Sequence, residues 1–247
     1  MSDGSHARKH AEQSLRELDR VAEHNEEALA EAAGLLIECV TSGGLIHTAG
    51  AGHSLAGVME SFYRAGGLAA VHPLYQPELL PLHGAATSTA TEREEGLAER
   101  TLREAGVDGT TDILVVFSNS GINPYPVELA ATARQQGCAV VAVTSRAASA
   151  GAPRRTAAGT LAEQATLVLD TLVPPGDTTY PESRPATAPA SSLANMFLWN
   201  LLMVETYERA GAHGVVLPWW RSSNVPGGDE ANAAQLEQYG RRIPPLR

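Results

Sequence analysis

The feature that most constrains this fold is a series of short, almost continuously apolar runs that alternate with helical segments. The clearest are Asp112–Phe117 (DILVVF) and Cys138–Thr144 (CAVVAVT), and a helical stretch ending near Gln136 lies between them. Three further runs are Leu45–Ala49, Leu68–Leu74 and Ala165–Asp170. Strands without polar alternation are typical of sheets that are buried on both faces. The pattern therefore predicts an α/β protein with a parallel five-stranded sheet between two layers of helices.

The flanking segments predict an arm before this unit and a tail after it. A 3.6-residue apolar period from His10 to Val40 predicts one long helix or two, which we expect to form an N-terminal helical arm. We predict a charged helix over Glu92–Ala105, an irregular loop over Pro174–Pro189 and a long helix over about Ser191–Ala210. The expected division is an arm over 1–42, an α/β domain over 43–213 and a C-terminal tail over 214–247. The tail is expected to pack on the core or on a partner subunit.

Composition excludes several classes of partner. The chain has 247 residues and a formal net charge of −10, and so acidic a protein is not expected to bind nucleic acid. Its sequence contains no apolar run of the roughly 20 residues that span a bilayer, so no membrane partner is expected. Two cysteines provide no disulfide framework. Together with a polar N-terminus, this predicts a cytoplasmic protein.

Two loops follow predicted strands and carry the residues of chemical interest. The first, Gly50–Ser54 (GAGHS), lacks the third glycine of a dinucleotide fingerprint because position 55 is leucine, and no Walker pattern occurs. We therefore predict no cofactor, and the histidine spacing predicts no metal site. The second, Ser118–Pro124 (SNSGINP), places hydroxyls and an amide before a helix start. Such a loop can bind an anion, although Ser118 or Asn123 could instead simply cap the helix.

These two motifs, in this order and about this far apart, resemble those of the sugar isomerase (SIS) domain family. The phrases FYRAGGL, ERxEG, VPPGD and SNxPGGDExN resemble a narrower branch similar to N-acetylglucosamine-6-phosphate dehydratases. More distantly, the chain resembles N-acetylmuramic acid 6-phosphate etherases and phosphoheptose isomerases. In those two groups a glutamate stands ten residues after the serine of the first motif. This chain has Arg64 at that position, so that catalytic role cannot be transferred.

The resemblance implies a flavodoxin-like three-layer sandwich that binds a sugar phosphate as its small-molecule partner. It also implies a homodimer or homotetramer with sites near the subunit interfaces. By position, it implies a phosphate site built from Ser54, Ser118, Ser120, Asn123 and a later serine, Ser192 or its neighbour Ser191.

Proton transfer next to an aldehyde carbon requires a carboxylate or an imidazole. The candidate catalytic residues are Glu92, Glu95, His53 and His83, and the sequence leaves open which of these, or Glu60, is the base. Glu92 and Glu95 lie in the ERxEG phrase, which resembles the glutamate region of the etherases. The alternative is that these acids only favour the first turn of a helix, where Thr91 and Glu94 match a capping box.

The leading hypothesis is an amino-sugar 6-phosphate lyase, a hydro-lyase acting on N-acetylglucosamine 6-phosphate. In this reaction the enzyme would remove the C2 proton and the sugar would lose its C3 hydroxyl. Elimination is expected because the acetamido group at C2 blocks aldose–ketose exchange. The alternatives are a phosphoheptose-like aldose–ketose isomerase and a non-catalytic module that senses a phosphosugar.

Overall fold

The computed structural model describes residues 5–247 and has a five-stranded parallel sheet at its centre. The strands are β1 (Ile46–Gly50), β2 (Val71–Leu74), β3 (Ile113–Phe117), β4 (Ala139–Thr144) and β5 (Leu167–Asp170). They lie in the order β2-β1-β3-β4-β5, which is the flavodoxin-like order. The predicted parallel five-stranded sheet is therefore confirmed. The strand order reverses between β1 and β3, and open α/β sheets bind ligands at such a point.

Helices cover both faces of the sheet. Their bounds are α1 His6–His24, α2 Glu26–Thr41, α3 Leu55–Ser61, α4 Ala85–Thr91, α5 Leu97–Ala105, α6 Pro124–Gln135, α7 Arg146–Ala150, α8 Leu161–Gln164, α9 Ser191–Ala212 and α10 Gly228–Tyr239. On one face α9 packs against α1, α2 and α3, and on the other face α6 packs against α5 and α8. The apolar stripe of α2 is fully buried under α9, so this second N-terminal helix belongs to the sandwich core.

The predicted charged helix ends at Ala105 as expected, but its predicted start at Glu92 is wrong. Helix α4 ends at Thr91, Glu92 lies directly after it, and α5 begins only at Leu97. Gly96, with a φ of 83°, separates the two helices. Thr91 and Glu94 therefore do not form a capping box; a capping box is found instead at the start of α8, between Thr160 and Glu163. The capping explanation for Glu92 fails, because its carboxyl lies at the carboxyl end of a helix.

The predicted irregular loop over Pro174–Pro189 contains a small antiparallel hairpin. Its strands are β6 (Thr178–Tyr180) and β7 (Thr187–Pro189). Asp177 connects the start of this hairpin to α9: its carboxylate accepts hydrogen bonds from the N–H groups of Ala190 and Ser191 and from the Ser191 hydroxyl, at 2.7–3.0 Å. The turn is thereby fixed at the carboxyl side of β5.

The C-terminal segment packs on the same chain. Residues 217–220 run beside 66–69, where Leu68 and Trp219 form an antiparallel bridge. The Trp220 side chain is buried in a second apolar cluster with Leu45, Tyr239 and Ile243. Whether the divisions at 42 and 213 mark independent units stays a prediction.

A buried polar group lies toward the amino ends of β1, β2 and β3. His47 Nε2 lies 2.9 Å from Asp112 Oδ2, and the His47 and His72 rings are 5.1 Å apart on the neighbouring strands β1 and β2. His47 is thus a buried, hydrogen-bonded residue of the core. Burial, and then the nearby His47 ring, lower the pKa of His72 to about 4. These side chains lie at the opposite end of the strands from the loops described next.

In residues 5–247, no helix is both long and apolar enough to cross a bilayer.

Candidate functional site

The two loops singled out in the sequence leave neighbouring strands side by side. Gly50 at the end of β1 pairs in register with Phe117 at the end of β3. A Cβ on Gly50 would lie 3.0 Å from the Ser54 carbonyl oxygen and 3.3 Å from that of Phe117. The absence of a side chain at Gly50 therefore favours this close approach. The loop over 51–54 and the turn over 118–123 converge at one edge of the sheet.

The second turn is shaped by Gly121 and ends at the first residue of α6. Gly121 has a φ of 58°, and a Cβ there would lie 2.7 Å from Thr144 Oγ1. The Gly121 N–H donates a hydrogen bond to Ser118 Oγ at 3.3 Å. Helix α6 begins at Pro124, as predicted, so the positive end of its dipole faces this turn.

An open cleft of about 680 Å³ lies between these loops. Its walls come from residues 51–54 after β1, Ser118, Asn119, Ser120 and Asn123 after β3, Glu92 after α4, Ala148, Gly151 and Ala152 after β4, and residues 175–177 after β5. Four carboxyl ends of parallel strands thus contribute to one cavity, whose size suits a small-molecule ligand.

The predicted phosphate-binding groups differ in their internal partners. Within residues 5–247, the hydroxyls of Ser54 and Ser120 have no hydrogen-bond partner, whereas Ser118 Oγ accepts from Gly121. Asn123 stands at the N-cap of α6 but makes no side-chain cap hydrogen bond, so the simple capping explanation does not account for its side chain. Two hydroxyls are therefore available to a ligand at the amino end of a helix, whereas the Asn123 amide oxygen accepts a hydrogen bond from Arg155.

Glu92 contributes a half-buried carboxyl group to this cleft. Its backbone oxygen accepts a hydrogen bond from the Tyr125 N–H at 3.1 Å, which ties the end of α4 to the start of α6. Burial raises the pKa of the Glu92 carboxyl, opposed by a side-chain hydrogen bond from Asn123 and by the charges of Arg93 and Arg155. A carboxyl with a raised pKa in a cleft has the property of a general base or acid.

His53 also lines the cleft, from the 3-10 turn over Gly52–Ser54. Its ring is exposed, and its carbonyl oxygen accepts a 3.5 Å hydrogen bond from Ser192 Oγ at the start of α9. Ser192 thus lies behind the first loop and is not part of the cleft wall.

The structure does not bring the other acid/base candidates into the cleft of this chain. Glu95 is exposed between α4 and α5, and His83 is exposed in the 3-10 turn over Pro81–His83. Glu60 accepts a 2.8 Å hydrogen bond from Asn200 on α9 and pairs with Arg64. Arg64 is therefore engaged by Glu60, four residues before it in the chain.

Sequence reasoning missed three residues at this edge. Asn119 and Asp177 line the cleft; Asn119 Oδ1 accepts a 2.7 Å hydrogen bond from the Thr171 hydroxyl. Arg155, in the loop between α7 and α8, donates to Asn123 Oδ1 at 2.5 Å. The phrase VPPGD, which contains Asp177, was a usable signal. No local signal marks Arg155, because it meets Asn123 from 32 residues away.

A second, more enclosed cavity of about 440 Å³ lies between α1, the β6–β7 hairpin and the start of α9. Its walls are largely apolar and include Leu18, Val21 and Leu172. None of the predicted site residues lines it. The cleft is the better candidate site because the convergent hydroxyls, the helix end and the perturbed carboxyl all belong to it.

The cleft wall contains no lysine or arginine among residues 5–247. Across the same residues, no group of three His, Cys, Asp or Glu side chains is placed to hold a metal ion. An anion bound here would be held by hydroxyls, amides and backbone N–H groups.

Comparison with known proteins agrees with this geometry. Residues 9–145 match the SIS domain family, and the chain therefore belongs to the SIS domain family. A UPF0309 protein of Streptomyces coelicolor is 36% identical over 248 residues, covering 98% of each chain. A UPF0309 protein of Listeria innocua is 32% identical over 236 residues, covering 94% of this chain and 95% of its own. Neither name states an activity.

Solved structures share the fold. The phosphoheptose isomerase GmhA of Neisseria gonorrhoeae superposes with a TM-score of 0.54 at 19% identity, over 81% of this chain and 97% of its own. A phosphoheptose isomerase of Francisella tularensis gives a TM-score of 0.50 at 19% identity, over 82% of this chain and 96% of its own. The predicted three-layer architecture is thus confirmed at the level of the fold.

Proposed function

We propose that this protein is an amino-sugar 6-phosphate lyase that dehydrates N-acetylglucosamine 6-phosphate. The observation that carries the proposal is the meeting of two groups in one cleft: the hydroxyl-rich turn at the start of α6 and the half-buried carboxyl of Glu92. The first suits a phosphate and the second suits proton abstraction.

The phosphate would lie against the turn over 118–123. Hydroxyls of Ser54, Ser118 and Ser120 and the amide of Asn123 would donate hydrogen bonds, and the positive end of α6 would favour the negative charge. The protein's net charge of −10 makes such a local donor cluster necessary for anion binding.

The reaction would begin in the ring-opened sugar. The Glu92 carboxylate would take the C2 proton, whose acidity comes from the neighbouring aldehyde. The electron pair left at C2 would form the C2–C3 double bond as the C3–O bond breaks. His53 would supply the proton with which the departing hydroxyl leaves as water. The acetamido nitrogen at C2 favours this elimination, since it prevents transfer of the carbonyl to C2.

The direct test incubates the purified protein with N-acetylglucosamine 6-phosphate and follows the mass of the product. A product lighter by one water is expected. An isobaric product would indicate an isomerase instead, and tight binding without any conversion would indicate a sensing module. Substrate that neither binds nor changes would overturn the phosphosugar assignment as well.

The phosphate role of the turn is tested with Ser120→Ala. Because this hydroxyl has no internal partner, its removal leaves the fold intact while one hydrogen bond to a charged ligand is lost. We expect the dissociation constant for N-acetylglucosamine 6-phosphate, measured by calorimetry, to rise about tenfold. The matched control is Ser42→Ala, an exposed serine at the amino side of β1. Equal affinities of the two variants would contradict the predicted role of Ser120.

A further inference from the structure

Arg155 contacts the candidate site from a loop that has no role in the function proposed above. The loop joins α7 to α8, and its first residues, Gly151 and Ala152, line the cleft. Arg155 itself is exposed at the edge of the cleft. Its Nη1 donates a hydrogen bond of 2.5 Å to Asn123 Oδ1. A short contact between a charged donor and a nearly buried amide is a strong interaction.

This hydrogen bond determines which way the Asn123 amide points. A guanidinium group has only donors, so the atom facing it must be the amide oxygen. The NH2 group is consequently turned to the other side of the side chain. Asn123 lines the cleft together with Glu92, and its side chain, as a hydrogen-bond donor, lowers the pKa of that carboxyl; only the NH2 group can be this donor.

The three side chains therefore form a chain of contacts in the order Arg155, Asn123, Glu92. We propose that Arg155 is a positioning residue, which fixes the Asn123 amide so that its NH2 group holds Glu92 as an ionised base facing the substrate. The inference rests on the proposed role of Glu92 in the lyase reaction. Arg155 would act without touching the sugar, through the orientation of one amide and through its own charge.

The electrostatic consequence has a definite sign. Burial raises the pKa of Glu92, and Asn123, Arg93 and Arg155 each oppose that rise. Arg93 is adjacent in sequence, and the other ionisable side chains that line the cleft are His53 and Asp177. Removal of Arg155 takes away its charge and releases the amide orientation. Both changes favour the protonated carboxyl, so the pKa of Glu92 moves upward.

The kinetic test compares Arg155→Met, Arg155→Lys and the control Arg154→Met. Arg154 pairs with Glu163, which does not line the cleft. For Arg155→Met we expect the acidic limb of the pH profile of kcat/KM to move to higher pH, with a loss of about tenfold on that limb. The loss should shrink at higher pH, and Arg155→Lys should recover part of it. A loss of the same size at every pH would indicate a merely structural role and would overturn the proposal.

A second measurement does not depend on turnover. Glutamate labelled with 13C at the side-chain carboxyl is titrated by NMR in the substrate-free protein, and the Glu92 signal is assigned with Glu92→Gln. The midpoint of Glu92 should rise in Arg155→Met and stay unchanged in Arg154→Met. An unchanged midpoint in Arg155→Met would overturn the proposal whether or not the protein converts any sugar. A raised midpoint in a protein without lyase activity would refute the proposed function alone.

Discussion

At the scale of single residues, Glu92 combines a catalytic position with an energetic cost. Its carboxyl is half-buried between the end of α4 and the start of α6, and burial raises its pKa. A base in this position costs stability when it ionises in the folded state. The same property that suits it to proton abstraction therefore makes the folded chain less stable at neutral pH.

Glu92→Gln is expected to abolish turnover and to stabilise the protein near pH 7. With a raised pKa in the folded state, the wild-type carboxyl contributes its full stability below the unfolded pKa, and that contribution is lost as pH rises through the folded pKa. Glutamine does not ionise, so the variant keeps this contribution to stability as the pH rises. Activity should fall by about 10² to 10⁴-fold.

Thermal unfolding of Glu92→Gln and wild type at several pH values measures the stability effect. The melting temperature of the variant should exceed that of the wild type at pH 7, and the difference should vanish in acid. A variant that is less stable at pH 7 would show that the carboxylate, and not the carboxylic acid, is the favoured form in the fold.

At the scale of elements, the turn between β3 and α6 depends on Gly121. Its backbone has a φ of 58°, and the space where a side chain would begin is taken by Thr144 of β4 and Leu161 of α8. The turn thus needs glycine for two reasons, the left-handed conformation and the close packing. Since Ser118 and Ser120 lie in the same turn, its shape decides where their hydroxyls point.

Gly121→Ala should destabilise the fold by about 2 kcal/mol, because it adds a steric clash to the left-handed penalty. Gly43, in the turn between α2 and β1, has a φ of 81° and nothing within 4 Å of a Cβ. Gly43→Ala should therefore cost only the conformational part, about 1 kcal/mol. Urea unfolding of both variants gives the comparison, and equal costs would show that the contact with Thr144 relaxes freely.

At the scale of the whole molecule, the buried polar group toward the amino ends of the strands makes the stability of the fold depend on pH. His72 is buried on β2, and Asp112 accepts hydrogen bonds from the His47 ring and from the Leu45 N–H. Burial opposes the ionised carboxyl of Asp112, but these hydrogen bonds, with one from the Asp108 N–H, hold its pKa below the usual range. The group therefore favours a neutral His72 beside an ionised Asp112.

His72 should make the fold sensitive to acid. Its pKa is about 4 in the folded chain and about 6.5 in a free histidine, so the unfolded chain binds the proton more readily between these values. Stability contributed by the neutral ring is full above pH 6.5 and is lost as pH falls to 4. The loss is on the order of 3 kcal/mol.

The measurement is the free energy of urea unfolding from pH 7 to pH 4 for His72→Leu and for His83→Gln, an exposed histidine. His72→Leu should flatten the pH dependence, whereas His83→Gln should reproduce that of the wild type. Parallel curves for His72→Leu and wild type would show that another group causes the acid sensitivity.

The sequence predicted all five strands of the sheet to within a few residues, and it placed the start of α6 at Pro124. It also identified both loops that meet at the cleft. These features depend on local properties: runs of β-branched residues, the position of proline, and the rule that parallel strands end at a common edge. By contrast, the hairpin in 174–189 was missed because its pairing involves polar residues without strand periodicity.

What the sequence by itself determined was the sheet, its layers and the two loops at its carboxyl edge, because short-range periodicity encodes them. Only the tertiary structure decided which side chains meet there. It placed Glu92 after a helix and in the cleft, left Glu95 and His83 outside it, and brought Arg155 to Asn123. Such contacts join residues some 30 positions apart whose partners are set by the packing of whole elements. No local sequence pattern predicts how those elements pack.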